Sequence, residues 1–313
     1  GYETALEFKK HGVDPIILDT REEHSSELID SAKNQNIKIK FASAVIAANG
    51  YKKVNPAQIG KLNKDKTSFV NSETIECDCI CVSGFWTPTV HLASQSGNKL
   101  KFDDKIDAFV PDKSKQNETS IGASKGTFTL QDILDEGFKK GFDISKKITN
   151  NNNLTSTPIS NEIRKSPHDK FWCSPLPKDK NFKRFVDFQN DVSVSDIEVA
   201  LREGYRSIEH VKRYTTLGMA TDQGRTSNLN GLQLVANVEK KIVPQVGHTT
   251  FRPPFTPITI GTIVGREVDM EYMPTRKTPM HSWHEKNNAV FVDAGAWKRP
   301  RYYKQGNENL FEA

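Results

Sequence analysis

The sequence predicts an α/β dinucleotide-binding fold followed by a small all-α module. Within the first 50 residues a helix, a strand that ends in an acid, a second helix and a second strand follow one another. This is the order of a Rossmann unit that lacks its first strand. Between residues 182 and 240 apolar side chains recur at helical spacing, and a run of four asparagines with further polar residues separates the two regions.

Two positions in the α/β region are candidate contacts to a ribose or a phosphate. Asp19 closes the first predicted strand, where an acid can hold a nucleotide ribose. The glycine-rich loop that would precede the first helix is not in the chain, so an ordinary strand-end acid is the alternative. Gly122 and Ala123 precede a helix predicted to end at Gly137, and small residues before a helix offer N–H groups to an anion.

A third candidate lies at the end of an apolar segment. Cys79–Ser83 is predicted to be a buried strand that ends at Gly84 and Thr87. A strand that breaks at glycine can bring the backbone close to a cofactor, although a plain exit from the sheet is the alternative.

The cysteines favour thiols in the protein interior over a metal site. Cys77, Cys79 and Cys81 alternate, so in a strand they would share one face at a spacing of about 6.6 Å, which is awkward for chelation. With Cys173 they are expected to be buried and reduced, in a reducing compartment that is the cytosol if the host is bacterial.

Composition excludes two classes of partner. The net charge of +5 comes from 44 basic and 39 acidic residues spread along the chain, so no dense basic stripe predicts nucleic-acid binding. No apolar run approaches the roughly 18 residues needed to span a bilayer. The chain opens on Gly1 without a secretory signal and stops at Ala313, and we expect it to be truncated at both ends.

The densest chemical signal is the segment from Lys212 to Asn228. It combines a lysine, two arginines, several hydroxyl groups and two glycines beside the start of a predicted helix. Charged donors and helix N–H groups are what a phosphate site uses, so the segment predicts either an anion site or a solvated basic loop.

The last part of the chain carries weaker signals. Residues 241–274 contain several prolines and are predicted to be an extended connector. His281 and His284 are three residues apart, but no third ligand accompanies them, so they are interpreted as packing residues and no metal site is predicted. No residue of the chain is a convincing catalytic acid, base or nucleophile.

Three stretches together resemble the alpha subunit of heterotetrameric sarcosine oxidase. They are Cys79–Leu92 with Ser94–Gly97, then Phe185–Val192 running through Gly204 to Asn228, and finally Lys277–Pro279 through Trp297 to Tyr302. The resemblance covers nearly the whole chain in the family's order, and the second stretch is the most specific.

The resemblance implies a domain layout. Residues 1–144 resemble part of an NAD/FAD-type domain with two dinucleotide folds, 145–180 form a linker, and 181–240 form the helical module. Residues 241–274 are the connector, and 275–313 resemble the start of an α+β aminomethyltransferase domain that binds tetrahydrofolate. The catalytic acid of that last domain is expected beyond residue 313.

The resemblance also implies the cofactors of the helical module. Related amine dehydrogenases carry iron–sulfur cysteines near four positions that hold other residues here, so no cluster is expected; they are Asp187, Gln189, Asp222 and Ser227. In sarcosine oxidase the module faces an FMN attached to the beta subunit. The residues expected to contact its phosphate and ribityl chain are Lys212, Arg213, Thr221, Gln223, Arg225 and Thr226.

The implied activity is oxidative demethylation of sarcosine to glycine. Electrons pass from FAD in the beta subunit to FMN and then to oxygen, giving hydrogen peroxide, while tetrahydrofolate takes the one-carbon unit. NAD is expected in the α/β region, and the partners are the beta, gamma and delta subunits. The alternatives are the alpha subunit of a related amine, opine or dimethylglycine dehydrogenase, and a non-catalytic structural subunit.

Overall fold

A computed structural model describes residues 1–84, 86–149, 156–160, 170–177, 182–266, 274–309 and 311. The chain divides into two compact units, Gly1–Thr256 and Pro257–Ala313, which are described separately. No helix in the described ranges is long and apolar enough to cross a membrane.

The chain opens with the predicted helix, strand, helix and strand. These are α1 Tyr2–Lys10, β1 Ile16–Leu18, α2 Glu27–Asn34 and β2 Lys38–Lys40. The two strands are parallel, with Ile17 opposite Ile39, and their helices pack around Ala5, Ala32 and Ile37. The predicted order is confirmed, because apolar residues at helical and strand spacing face one small core.

An antiparallel sheet follows, made of β3 Ser43–Ala48, β4 Ala57–Leu62 and β5 Phe69–Ile75 in that order. The prediction of a strand at Cys79–Ser83 is wrong, because this segment pairs with no strand in the described ranges. Its side chains therefore do not enter a core. Cys79 and Cys81 are exposed and Cys77 is half-buried, which corrects the prediction of buried thiols.

The rest of the α/β region contains short elements and one long helix. They are α3 His91–Gln95, β6 Leu100–Asp103, β7 Ala108–Pro111, a 3-10 helix at Gly122–Lys125 and α4 Leu130–Thr149. The prediction that the last helix ends at Gly137 is wrong. Gly137 keeps a helical backbone inside α4 and does not form a left-handed cap, and a single interior glycine costs only about 1 kcal/mol relative to alanine. Part of the predicted linker, 145–149, is therefore helical.

The helical module is built from β8 Phe185–Asp187, β9 Val192–Ser193, α5 Val194–Arg202, α6 Ile208–Thr215 and α7 Asn228–Glu239. The sequence from Ser193 to Asp196 predicts a capping box at the start of a helix, and the structure confirms it. Ser193 is the N-cap of α5, and its backbone N–H donates to Asp196 at 2.8 Å. The apolar faces of the three helices share one core, in which Ile197, Val211 and Val235 are almost fully buried.

The predicted extended connector contains two short helices. They are α8 Val243–Val246 in the first unit and α9 Ile260–Val264 in the second. Pro244 lies in the first turn of α8, where a missing N–H costs nothing, so proline does not exclude a helix there. A fully extended connector is therefore wrong over these two segments.

The second unit ends in a small sheet. It contains β10 Arg276–Lys277, α10 His281–Lys286, β11 Ala289–Ala294 and β12 Trp297–Tyr303. β12 lies between the other two strands, parallel to β10 and antiparallel to β11.

We predict that Val235→Ala lowers the free energy of unfolding by ~2 kcal/mol, because it removes two buried methyl groups from the module's core. Val235 is 1% exposed, whereas Val238 on the same helix is 48% exposed. Val238→Ala is the matched control and should change stability by less than ~0.5 kcal/mol. Urea unfolding followed by circular dichroism measures both, and equal effects would contradict this placement of the core.

Candidate functional site

A buried carboxylate at the end of β8 organises residues 216–227, which connect α6 to α7. They belong to the segment predicted to bind an anion and are named the anion loop. Asp187 is 3% exposed. Its Oδ2 accepts a hydrogen bond from the Gly218 N–H at 2.8 Å and one from the Ser227 hydroxyl at 3.4 Å. Its Oδ1 accepts the Gln189 N–H at 3.0 Å. One side chain thus joins the end of β8 to both ends of the segment 218–227.

Three of the four positions that the family resemblance singled out meet at this carboxylate: Asp187, Gln189 and Ser227. The fourth, Asp222, lies in the loop and accepts the Gly224 N–H at 3.1 Å. Oxygen and amide groups therefore make the connections within this loop.

Two glycines let the loop close on α7. Gly218 and Gly224 have φ of +67° and +72°. A Cβ on either would lie 2.2 or 2.1 Å from Oδ1 of Asn228, which no real contact allows. The glycines are thus required both for left-handed backbone and for space.

Lys212 is buried, and its predicted contact with FMN stays a prediction. Its ammonium is buried and donates to the Thr250 carbonyl at 2.7 Å. Burial lowers its pKa below the usual value; Glu209 opposes this shift. The nearby charges of Arg252 and Arg213 lower the pKa further. Lys212 thus anchors the segment after α8 while it lies within electrostatic reach of two arginines.

Three exposed arginines surround the loop. Arg213 and Arg225 were predicted, and the guanidinium of Arg225 lies 5.4 Å from the centre of the Phe255 ring. Arg252 was missed by the sequence prediction, because it belongs to the proline-rich segment. Its backbone N–H donates to Oε1 of Gln223 at 2.9 Å, which brings it to the loop.

The remaining predicted contacts are engaged inside the loop. Gln223 uses its carboxamide on the Ala220 carbonyl and on the N–H of Arg252. Thr221 donates to the Gln189 side chain at 3.3 Å, and Thr226 lies 3.4 Å from Asp222. These bonds shape the loop and leave the arginines as its outward-facing cations.

Four backbone amides at and just before the start of α7 are also engaged. The amides of Gly224, Arg225, Ser227 and Asn228 all donate to acceptors within the loop. An anion next to these four amides would therefore rely on side-chain charge.

Asp19 is held by two partners from its own region. Its carboxylate accepts the Tyr2 hydroxyl at 2.8 Å and the Arg21 guanidinium at 2.9 and 2.8 Å. Burial alone would raise its pKa, but the hydrogen bonds from Arg21 and Tyr2 outweigh burial and hold the pKa below the usual value. The residue is a strand-end acid in a salt bridge, and a ribose contact stays a prediction.

The Gly122 turn also carries an internal anion. Gly122 donates its N–H to the Glu136 carboxylate at 2.8 Å, and the Thr127 hydroxyl donates to the same carboxylate at 2.8 Å. Gly122 and Ala123 belong to the 3-10 helix, and the N–H predicted to meet a cofactor anion meets a side chain of α4.

The other predicted dinucleotide residues, Gly84 and Thr87, precede α3 in the chain. Gly84 is exposed and Thr87 is half-buried. Gly126, just after the 3-10 helix, faces Pro88, so this turn and the segment at Thr87 are neighbours. Contact of these residues with a dinucleotide stays a prediction.

The two histidines of the second unit pack and hydrogen-bond within it. His281 contacts the ring of Phe291 and pairs with Glu285 at 3.2 Å. His284 lies 2.6 Å from the Tyr303 hydroxyl. In the described ranges, no group of three or more potential metal ligands is arranged around a common point.

Comparison with known proteins identifies the family. Residues 181–266 match the family described as the sarcosine oxidase A3 domain. The sarcosine oxidase subunit alpha of Rhizobium meliloti (strain 1021) is 33% identical across 99% of this chain. The chain belongs to the sarcosine oxidase alpha-subunit family. Subunits of the same name from Corynebacterium sp. strains P-1 and U-96 are 33% and 36% identical across 94% and 77% of the chain.

The matched region is a minor part of these sarcosine oxidase subunits. The chain spans 30%, 31% and 26% of their lengths. Among solved structures, L-proline dehydrogenase from P. horikoshii matches with a TM-score of 0.54 at 19% identity, covering 79% of this chain and 49% of that chain. At this identity the likeness establishes a shared fold and nothing about activity.

We predict that Asp187→Ala lowers the free energy of unfolding by ~3 kcal/mol, because buried donors of Gly218 and Ser227 lose their acceptor. Asp187→Asn keeps one carbonyl oxygen, so its free energy of unfolding should lie between those of Asp187→Ala and the parent. Glu198→Ala, at an exposed acid on α5, is the control and should change stability by less than ~0.5 kcal/mol. The midpoints of urea unfolding measure the stability of all these variants. An Asp187→Ala variant as stable as the parent would exclude the organising role.

We also predict that the stabilising effect of Asp19 disappears in acid. Because its folded-state pKa is depressed below the ordinary 3.8, its contribution is present above that value and is lost as the pH falls through the lower folded-state pKa. Asp19→Asn should therefore be less stable than the parent at pH 7, with the difference vanishing below the folded-state pKa. Urea midpoints of both proteins between pH 7 and pH 2 measure this, and a difference independent of pH would refute it.

Proposed function

We propose that this chain is part of a sarcosine oxidase alpha subunit, which takes part in the oxidative demethylation of sarcosine to glycine. The further products are hydrogen peroxide and 5,10-methylenetetrahydrofolate. The observation that carries the proposal is the 33% identity to a named alpha subunit across 99% of the chain. An alpha subunit works with other subunits, and we propose beta, gamma and delta chains as the partners.

The role proposed for the helical module is to hold the phosphate of an FMN carried by the beta subunit. Arg213, Arg225 and Arg252 fit such a dianion, because their guanidinium groups are exposed and can donate paired hydrogen bonds to phosphate oxygens. Lys212 adds positive potential from below the surface. When bound, the flavin supplies the electron transfer, and the residues of this chain bind and orient it.

The other cofactors are assigned by region. NAD would lie against the α/β region near Asp19, Thr87 and Gly122. FAD would belong to the beta subunit. Tetrahydrofolate would bind the domain that begins near residue 275, with its catalytic acid beyond residue 313.

The test uses the assembled enzyme with a full-length alpha subunit. Arg213→Ala combined with Arg225→Ala removes two exposed guanidinium groups, each worth about 1.5–3 kcal/mol when it meets an anion. We expect at least a tenfold lower rate of peroxide formation from sarcosine, together with a lower flavin absorbance per complex.

Arg202→Ala is the control, because Arg202 is an exposed arginine at the end of α5 in the same module. It should leave the rate and the absorbance unchanged. If the double variant also leaves both unchanged, the loop does not contact the flavin. Iron found in the purified complex in proportion to the alpha subunit would favour the iron–sulfur dehydrogenase alternative.

A further inference from the structure

A histidine from the α/β region contacts the centre of the anion loop. His91 is the first residue of α3, 132 positions before Gln223 in the sequence. Its Nε2 lies 3.0 Å from the backbone carbonyl oxygen of Gln223. A carbonyl can only accept, so Nε2 must carry the proton and donate it.

The Gln223 carbonyl has two donors and belongs to a residue with an uncommon backbone conformation. Gln223 has a φ of +48°, which is left-handed and uncommon for a residue with a side chain. Its carbonyl oxygen has a second donor, Nδ2 of Asn228, at 3.2 Å. These two bonds, one from α3 and one from α7, hold the carbonyl in place.

The rest of the His91 ring is surrounded by aromatic side chains. The ring is 3% exposed and lies 4.1 Å from the Phe251 ring and 5.1 Å from the Phe255 ring, between centroids. Burial lowers the pKa of His91, which favours the neutral ring, and Nδ1 has no hydrogen-bond partner among the described residues. The Nε2 donor is therefore the polar contact that distinguishes this histidine from an aromatic residue of similar shape.

We propose that His91 is a positioning residue, which fixes the anion loop of the helical module through the Gln223 carbonyl. A side chain of the dinucleotide-binding region then sets the geometry of the loop proposed to hold the flavin phosphate. Only the effect on the flavin rests on the proposed function; the positioning of the loop does not.

The same contact controls two of the three cations. Gln223 accepts the backbone N–H of Arg252 with its side chain. Arg225 lies over Phe255, whose ring stacks on His91. A displaced Gln223 carbonyl would therefore move Arg252 directly and would disturb the stack that carries Arg225.

Two substitutions separate the hydrogen bond from the ring. His91→Phe keeps a flat ring between Phe251 and Phe255 but has no donor. His91→Gln gives up the ring but can place its amide nitrogen near the position of Nε2. Both are made in the full-length alpha subunit and assembled with the other subunits, and hydrogen–deuterium exchange is measured for amides 218–228.

We expect His91→Phe to speed exchange in this segment about tenfold, because a half-buried carbonyl loses one of its two donors. His91→Gln should stay within about twofold of the parent. The amides of α5 serve as the internal reference and should not change in either variant.

The outcomes of this experiment decide the proposal. Unchanged loop exchange in His91→Phe overturns it, and so does equal acceleration by both substitutions. If His91→Phe does not assemble, a tenfold acceleration in His91→Gln overturns it, and near-parental exchange supports it. The flavin absorption spectrum is recorded on the same samples: a loosened loop with an unchanged spectrum supports the positioning role and contradicts the proposed flavin contact.

Discussion

The geometry of the helical module depends on the buried carboxylate of Asp187. A charged group at 3% exposure is tolerable only when donors surround it, and here two backbone amides and a hydroxyl supply them. Because these donors come from the turn after β8 and from both ends of the loop, satisfying one side chain also closes the loop. The close approach of Asn228 to Gly218 and Gly224 follows from that closure.

This closure decides which groups the loop can offer to a ligand. Its amides and hydroxyls are largely used in holding its own shape, as Gly224, Thr221 and Gln223 show. The groups that remain on the outside are guanidinium groups on flexible stems. A site of this kind attracts an anion by charge over a broad area, in contrast to a helix N-terminus, whose amides point at one position.

The α/β region follows the same rule on a smaller scale. Two of its residues were predicted to contact a ribose or an anion, and each is hydrogen-bonded to a neighbouring side chain. Asp19 accepts from Arg21 and Tyr2, and the Gly122 amide donates to Glu136. In both places the group predicted to contact a cofactor is hydrogen-bonded to a side chain of the same region. The partner is a nearby side chain, which is always present at high effective concentration.

The sequence by itself determined the local features: the order of α1, β1, α2 and β2, the capping box of α5, and the concentration of positive charge between Lys212 and Arg225. These features depend on spacing and on neighbouring residue types, which the sequence displays directly. Only the tertiary structure decided that Arg252 joins the loop, that His91 contacts Gln223, and that Cys79 and Cys81 stay exposed. Those outcomes depend on which distant segments meet, and residue spacing within one segment carries no information about a partner 29 or 132 positions away.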